Sequence, residues 1–481
     1  MSSLGGDDER AILDDEGRLF GLVNIVDLLV VLLVIAVVVA GAALLLSDSG
    51  EADTRHVTMN LGPQPDFIAE EVSPGDTFEP QGTNQSVTIT DVYRYDNEEG
   101  TSVIVRATVR GTTIEPGDPE DEPTFQFQGS ELRVGQSLAL QTANYSVEGQ
   151  LTQIQQSGES LPAQQTEFTM QTTVPAGIAD EVAVGDQYRV AGESIAEITA
   201  LQQFPSTNNG DRILLLGVSA ETLDRNGLEF SGQPLRLGNT VPFQGDGYEL
   251  NGTVQRRGTS AVETQQRQFL IETAVPVNIA DDVDAGDTYQ LNGQDLVRVE
   301  SATFYTTDNP DQRSAVLGVS AITREEDGAI LFGNRELRVG GSLPVQTSEY
   351  DISGEILRRD TLEQAGEPET VSATLELRNV RPSLAEAIEL GDTERVGDTT
   401  TVEITGKSTE PADVILESET GDIFLREHPR NLDVELDATL QVRQLADGSL
   451  QFRGEPLRTG DGIPIELGQL RITVEVTALD Q

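Results

Sequence analysis

Hydrophobic and polar residues alternate one by one over long stretches of this chain. Between positions 432 and 442 every even position carries Leu, Val or Ala, and the odd positions carry Asp, Glu, Thr or Gln. In 103–109 the odd positions carry Val or Ala, with Arg106 and Thr108 between them, and 470–476 follows the same period of two. This period places one face of a strand on a core and the other in water, as in antiparallel sheets. The pattern therefore predicts a β-rich protein.

The strand pattern is organised in four copies. Each copy has a short Pro-led helical turn that ends in Ile-Ala or Leu-Ala, and an aspartate of a Gly-Asp pair follows the alanine seven residues later. The Gly-Asp pairs are 110, 101 and 105 residues apart, so the spacing is that of a repeated domain. The four turn aspartates are Asp76, Asp186, Asp287 and Asp392.

A second signature, Phe-x-Gly-x-x-Leu-Arg-x-Gly, follows in each copy, one residue out of step in the third. It supplies the repeated arginines Arg133, Arg236, Arg338 and Arg458. We expect an all-β tandem array of four small antiparallel domains, each a barrel or a sandwich. A barrel built from two swapped halves is a further alternative, because the two signatures share a strand–Gly–strand logic. The expected domains are residues 57–158, 167–258, 268–361 and 371–480.

An uncharged apolar run of nineteen residues, Leu28–Leu46, precedes the array. A helix of that length reaches about 28 Å, close to the hydrocarbon thickness of a bilayer. The run predicts a single transmembrane helix, with residues 1–27 as a short cytoplasmic segment and 47–56 as a linker. A cleavable signal peptide is the alternative, because residues 40–42 read Ala-Gly-Ala.

The orientation follows from the flanking charges. Arg10 and Arg18 precede the run and Arg55 follows it. Positive residues favour the cytoplasmic side, so we expect a cytoplasmic N-terminus and residues 47–481 outside the cell. The protein would then be a single-pass protein of the cell membrane.

The residues around this run also resemble a known family. The segments Gly17-Arg-Leu-Phe-Gly21 and Asn24-Ile-Val-Asp-Leu28, followed at once by the apolar run, are similar to the uncharacterised family named domain of unknown function forty-three thirty. The resemblance covers mainly residues 14–46. It implies a single-pass membrane protein with a β-rich region after the helix. It implies no activity and no site residues, because none are assigned to that family.

The charge balance narrows the environment and the partners. Acidic residues number 82 against 31 basic ones, for a net charge of −51, and Lys407 is the one lysine. The carboxylates of such a chain repel one another at low ionic strength, and salt screens this repulsion. The charge balance therefore favours a salt-adapted, halophilic protein. Nucleic acid is not expected as a partner, because phosphate binding needs clustered basic residues. With no cysteine, disulfides and thiolate metal sites are excluded.

The repeated residues have a structural and a functional interpretation. The turn aspartates could bind a cation, but a calcium loop needs several closely spaced oxygen ligands, so turn-shaping is favoured. The repeated arginines could bind an anionic polymer as a ladder, or form salt bridges, for example to the turn aspartates. Three N-glycosylation sequons are present, at Asn84, Asn144 and Asn251.

No catalytic or cofactor-binding constellation is predicted. The only histidines, His56 and His428, are isolated, which excludes a repeated histidine-based site. We therefore expect no enzyme activity, no metal and no cofactor. The leading hypothesis is an extracellular spacer, scaffold or adhesion element of the envelope, with an envelope protein or glycan as partner. The alternative is an envelope adaptor or conduit that carries lipid or other hydrophobic cargo, and a carboxylate-based glycan hydrolase is a third.

Overall fold

The computed structural model describes residues 18–19, 23–24, 51–97, 99–114, 123–208, 210–396, 399–417 and 423–480. The predicted transmembrane segment Leu28–Leu46 lies outside these residues. Within the described part of the chain, no helix is long and apolar enough to cross a membrane. The described helices are single short turns of four to six residues.

Four repeated β sheets dominate the described structure, which confirms the predicted all-β tandem array. Two short strands, β1 (Arg18–Leu19) and β2 (Val23–Asn24), form a separate antiparallel pair. The first repeat consists of β3 (Glu51–Gln64), α1 (Asp66–Glu71), β4 (Thr77–Phe78), β5 (Ser86–Asn97), β6 (Gly100–Ile114), β7 (Thr124–Phe127), β8 (Ser130–Glu131), β9 (Ser137–Gln141) and β10 (Ser146–Gln155).

The later repeats contain the same elements in the same order. The second has β11 (Ala163–Pro175), α2 (Ala176–Glu181), β12 (Gln187–Val190), β13 (Glu193–Pro205), β14 (Asp211–Asp224), β15 (Leu228–Phe230), β16 (Gln233–Pro234), β17 (Thr240–Gln244) and β18 (Glu249–Arg257). The third has β19 (Gln265–Pro276), α3 (Val277–Ala280), β20 (Thr288–Leu291), β21 (Gln294–Thr306), β22 (Gln312–Glu326), β23 (Ala329–Phe332), β24 (Arg335–Glu336), β25 (Ser342–Gln346) and β26 (Asp351–Arg359). The fourth has β27 (Glu367–Val380), α4 (Pro382–Ala387), β28 (Thr393–Val396), β29 (Thr399–Glu417), β30 (Ile423–Gln444), β31 (Leu450–Phe452), β32 (Glu455–Pro456), β33 (Gly462–Leu467) and β34 (Leu470–Asp480).

The strand order is the same in every repeat and is symmetric: a hairpin lies at each end and two long strands lie in the middle. In the first it is β4-β5-β6-β3-β10-β9, with β7 also paired to β6 and to β8. Each half of the repeat contributes a long strand and a hairpin, and each hairpin pairs with the long strand of the other half. In repeats two to four the two edge strands lie against each other, so the sheet curls into a barrel.

The two halves also share their tight turns. In the first half the Gly75 N–H donates to the Ile89 carbonyl at 2.7 Å, and in the second the Gly135 N–H donates to the Leu151 carbonyl at 2.7 Å. The Ile89 N–H in turn donates to the Asp76 carbonyl and the Leu151 N–H to the Gln136 carbonyl, at 2.8 Å each. This internal twofold pattern supports the alternative of a barrel built from two swapped halves.

Side chains fill the barrel interiors. In the first repeat Val57, Met59, Val105 and Ala107 are fully buried on the two central strands. The phenylalanine that opens the second signature is a core residue in all four repeats, and at Phe230 the ring packs 5.7 Å from that of Phe168. The signature therefore marks a core position followed by a turn.

Each repeat begins earlier than the sequence pattern indicates. The opening strands start at 51, 163, 265 and 367, against expected starts of 57, 167, 268 and 371. In the second repeat the strand opens with the exposed polar residues Gln164 and Gln165, which lack the alternation that identifies a strand. The connectors are seven residues each: 156–162, 258–264 and 360–366.

By its contacts the chain separates into two compact units, and the division falls inside the second repeat rather than at an expected boundary. Unit 1 comprises residues 1–172, 181–201 and 215–261; unit 2 comprises residues 173–180, 202–214 and 262–481. Within unit 2, Phe204 stacks edge-on against Phe332 at 5.6 Å. Through Phe204, residues 202–214 of the second repeat therefore pack against the third barrel.

Candidate functional site

The Gly-Asp pairs close a tight turn ahead of the first hairpin of each barrel. The Ser73 N–H donates to Asp76 Oδ2 at 2.9 Å, and Gly75 has a φ of +100°, which residues with a side chain rarely adopt. Each carboxylate thus has a backbone donor and shapes the turn. The equivalent bonds, 2.8–2.9 Å long, run from Ala183 to Asp186, from Asp284 to Asp287 and from Glu389 to Asp392.

A tyrosine hydroxyl reaches the same carboxylate in three of the barrels. Tyr145 donates to Asp76 at 2.5 Å, and the tyrosine and aspartate belong to opposite halves of the barrel. Burial raises the pKa of the tyrosine and the aspartate raises it further, so the hydroxyl remains a donor. The bond therefore ties the two halves together. The equivalent pairs are Tyr248–Asp186 at 2.5 Å and Tyr350–Asp287 at 2.6 Å.

The repeated arginines occupy the corresponding turn of the second half. In the first repeat the Gln136 N–H donates to the Arg133 carbonyl at 3.1 Å. The Arg133 side chain is exposed and forms an ion pair with Glu131 rather than with Asp76. The side chains of Arg236, Arg338 and Arg458 are exposed as well. These arginines thus offer repeated positive charge on the surface, while their backbones build the turn.

The three sequon asparagines lie at the surface of unit 1. Asn84 is exposed in the turn before β5, and Asn144 is exposed in the turn before β10, where its amide donates to Glu71 at 3.2 Å. Asn251 is also exposed, although it lies within β18 and is paired to Pro242. All three side chains face solvent.

Side-chain donors that the sequence analysis did not identify bind the carbonyls at the ends of the short helices. Arg94 Nε donates to the Ala69 carbonyl at 2.9 Å, and Gln203 Nε2 donates to the Ala179 carbonyl at 2.8 Å. Lys407 Nζ donates to the carbonyls of Ala385 and Ile388 at 2.5 and 2.7 Å. These donors satisfy carbonyls that a helix end leaves free. The one lysine of the chain therefore has a structural position.

A cavity of about 300 Å³ lies in unit 2, where residues 205–212 meet the third barrel. Its lining includes Arg212, Tyr289, Phe332, Arg335 and Asp351. Burial raises the pKa of Tyr289; the nearby Arg212 lowers it, and Asp351 raises it. The lining combines donors, acceptors and an aromatic face, which suits a small polar molecule better than a hydrophobic one.

A dense ionic cluster lies in unit 2 where the third and fourth repeats meet. Glu394 and Arg453 form an ion pair in which the two side chains are 3% and 7% exposed. Glu394 also accepts a hydrogen bond from Thr306 at 3.1 Å, and Arg313 pairs with Glu466 at 2.8 Å. Burial lowers the pKa of Arg453 to about 9, although Glu466 acts in the opposite direction. Among the described residues, no group of three or more His, Asp or Glu is placed to hold a metal ion.

A comparison with known families recognises the N-terminal part of the chain, from before the predicted membrane run into the first barrel. Residues 11–126 match the family Domain of unknown function (DUF4330). The resemblance inferred from residues 14–46 is thereby confirmed, and the DUF4330 match extends to β7. Barrels two to four lie outside it. No curated protein matches the chain.

Proposed function

We propose that this protein is a non-catalytic spacer or scaffold of the cell envelope, anchored by a single N-terminal helix and carrying four barrels outside the membrane. Its partner would be an envelope protein or glycan. The observation that carries the proposal is how the connectors between repeats are held. In each unit an arginine, buried in unit 1 and partly buried in unit 2, binds the backbone of a connector, which favours fixed spacing over loosely linked domains.

In unit 1 the connector 156–162 is bound along its length. Arg106, 2% exposed, donates from Nε to the Gly158 carbonyl at 2.9 Å. Thr90 Oγ1 donates to the Glu159 carbonyl at 2.5 Å, and the Leu161 N–H donates to Asp91 at 2.8 Å. The Leu161 side chain is itself buried. Four successive contacts leave this connector little freedom.

In unit 2 a different arginine holds the connector 360–366. Arg443 donates to the carbonyls of Gln364, Ala365 and Gly366, at 3.1, 2.7 and 2.6 Å. Gln364 Nε2 also donates to the Tyr305 hydroxyl at 2.9 Å. Arg106 belongs to the repeat that precedes its connector, whereas Arg443 belongs to the repeat that follows its connector. Both connectors are thus held by an arginine, one from each side.

The packed interiors favour a spacer over the conduit alternative. A carrier of hydrophobic cargo would need an open apolar channel, whereas the central residues of these barrels are buried against one another. Lipid that co-purifies with the protein and is displaced by apolar competitors would support the conduit instead.

A glutamate-specific protease tests the fixed-spacer proposal, because the two bound connectors contain Glu159 and Glu363. In the full-length protein we expect both sites to resist cleavage. Arg106→Ala should speed cleavage at 159 and leave 363 unchanged, and Arg443→Ala should do the reverse. Cleavage of the wild-type connectors as fast as in denatured protein would overturn the proposal.

The location and the salt adaptation need separate tests. With an epitope at the C-terminus, protease added to intact cells should remove the epitope; removal only after lysis would place the array inside. On dilution below roughly 0.5 M salt the β signal in circular dichroism should fall, because repulsion among the carboxylates is no longer screened. Full structure in low salt would contradict the halophilic assignment.

A further inference from the structure

The ionic cluster of unit 2 carries more positive than negative charge. Three arginines, Arg313, Arg453 and Arg471, meet two carboxylates, Glu394 and Glu466. With all five ionised, the cluster has a net charge of +1, in a chain whose net charge is −51. The excess is local and sheltered, because the members of the central pair are almost fully buried.

Two donors in this cluster have no acceptor within the part of the chain that the structure describes. Arg313 Nη1 and Arg453 Nε are buried and find no hydrogen-bond partner among the described residues. A buried donor left unpaired destabilises the folded state, and more so when the group is charged. Such groups are rare in folded proteins and are commonly satisfied by a bound species.

The two arginines belong to one network. Arg313 pairs with Glu466 and Arg453 pairs with Glu394, and Thr306 Oγ1 lies 3.1 Å from Glu394 and 3.5 Å from Glu466. The Glu466 backbone N–H also donates to Glu394 at 3.1 Å. Both ion pairs therefore meet at Thr306, a residue of the third repeat that contacts the fourth.

The surroundings limit what could fill the site. One face of the Arg453 guanidinium is covered by the Phe452 ring, whose centroid is 4.3 Å away. The open positions are donors only, so they would repel a cation. A monovalent anion would bring the net charge of the cluster from +1 to zero, whereas a divalent anion would make it −1.

We propose that the junction of the third and fourth repeats binds one small monovalent anion of the halide class, held by Arg313 Nη1 and Arg453 Nε. The anion completes the charge balance of the cluster and locks the two repeats together. This site is independent of the proposed spacer function, since it would exist whatever the array carries.

The test uses full-length protein at a fixed sodium concentration, with chloride exchanged for gluconate, and follows hydrogen exchange in peptides covering 303–314 and 450–475. Protection should rise about tenfold for each tenfold increase in chloride above its dissociation constant. Bromide should substitute for chloride and give an anomalous-scattering peak beside Arg453 in crystals.

Variants separate a specific site from a general salt effect. Arg313→Gln, at the less buried arginine, should remove the chloride dependence while the protein stays folded. Arg378→Gln is the matched control, because Arg378 is an exposed, ion-paired arginine of the fourth repeat that lies outside the cluster, and it should keep the dependence. Equal protection in chloride and gluconate, or a chloride effect that survives Arg313→Gln, would overturn the proposal.

Discussion

Two junctions between neighbouring repeats, that of repeats one and two and that of repeats three and four, use different chemistry for the same task. In unit 1 the junction of repeats one and two buries an apolar cluster of Tyr93, Ile104, Leu161 and Leu223. In unit 2 the junction of repeats three and four is built on ion pairs, with Glu394 and Arg453 at its centre. Both connectors are seven residues long, and both are held by an arginine.

The difference teaches where each junction is vulnerable. Apolar burial loses stability in proportion to the surface removed, so a single truncation weakens it by degrees. A buried ion pair depends on both partners, because removal of one leaves the other charged and desolvated. The apolar junction should therefore tolerate substitution gradually, and the ionic one should fail abruptly.

The largest effect is expected at the ionic junction. Glu394→Gln leaves the Arg453 charge buried without its partner and should cost about 3–5 kcal/mol of unfolding free energy. Denaturant unfolding with exchange readout on peptides of repeat four measures it. Glu193→Gln in unit 1 is the matched control, because Glu193 is 67% exposed although its partner Arg94 is buried; it should cost less than about 1 kcal/mol. Equal costs for the two variants would remove the contrast between the junctions.

The next effect is expected at the apolar junction. Leu161→Ala removes a side chain that is 5% exposed and should cost about 2–4 kcal/mol. Repeats one and two should then lose exchange protection separately instead of together. Leu237→Ala, at a leucine that is 63% exposed, is the control and should change little. Unchanged coupling in Leu161→Ala would show that the arginine-bound connector alone holds the repeats.

A smaller effect concerns pH in unit 1. Burial, with Asp91 and Glu193 nearby, raises the pKa of Glu221 above its ordinary 4.5, while Arg94 lowers it. The folded state therefore binds a proton before the unfolded state does, and stability rises as pH falls through the folded pKa toward 4.5. Glu221→Gln should raise the Tm of unit 1 by about 1–2 °C at neutral pH and flatten this dependence. A pH profile identical to wild type would contradict it.

The smallest effect is expected at the repeated arginines. Arg236→Ala removes an exposed side chain and should change unfolding free energy by less than about 0.5 kcal/mol. Thermal unfolding of unit 1 measures the change. A loss above 1 kcal/mol would mean that the exposed arginines stabilise the barrel and are not available to a partner.

The sequence predicts the repeat but not the contacts that unite it. Alternation of apolar and polar residues identifies strands because the period of two is local, and the Gly-Asp turns recur because only a few residues suit them. The pairing of Tyr145 with Asp76 joins residues 69 apart and depends on how one half of the barrel swaps with the other. Its signal was present, in tyrosines at matched positions of three repeats.

The ionic junction left no such signal. Acidic residues are so common in this chain that Glu394 and Glu466 look like solvated charges, and Arg453 stands one residue after the signature phenylalanine. Only the fold buries Glu394 and Arg453 and brings Glu466 close to them. The exposure of Arg133 and its pairing with Glu131 could not be predicted from the sequence either. A salt bridge between residues two apart at a turn leaves no sequence pattern.

The tethering of Lys407 to the end of a short helix has a practical consequence. No other side chain in the sequence carries a primary amine, and this one is engaged by two backbone carbonyls. An acylating reagent aimed at lysine would thus report on opening of the fourth barrel alone. Apart from the chain's α-amino group, Lys407 is thus a single acylation site, and no engineered label is needed.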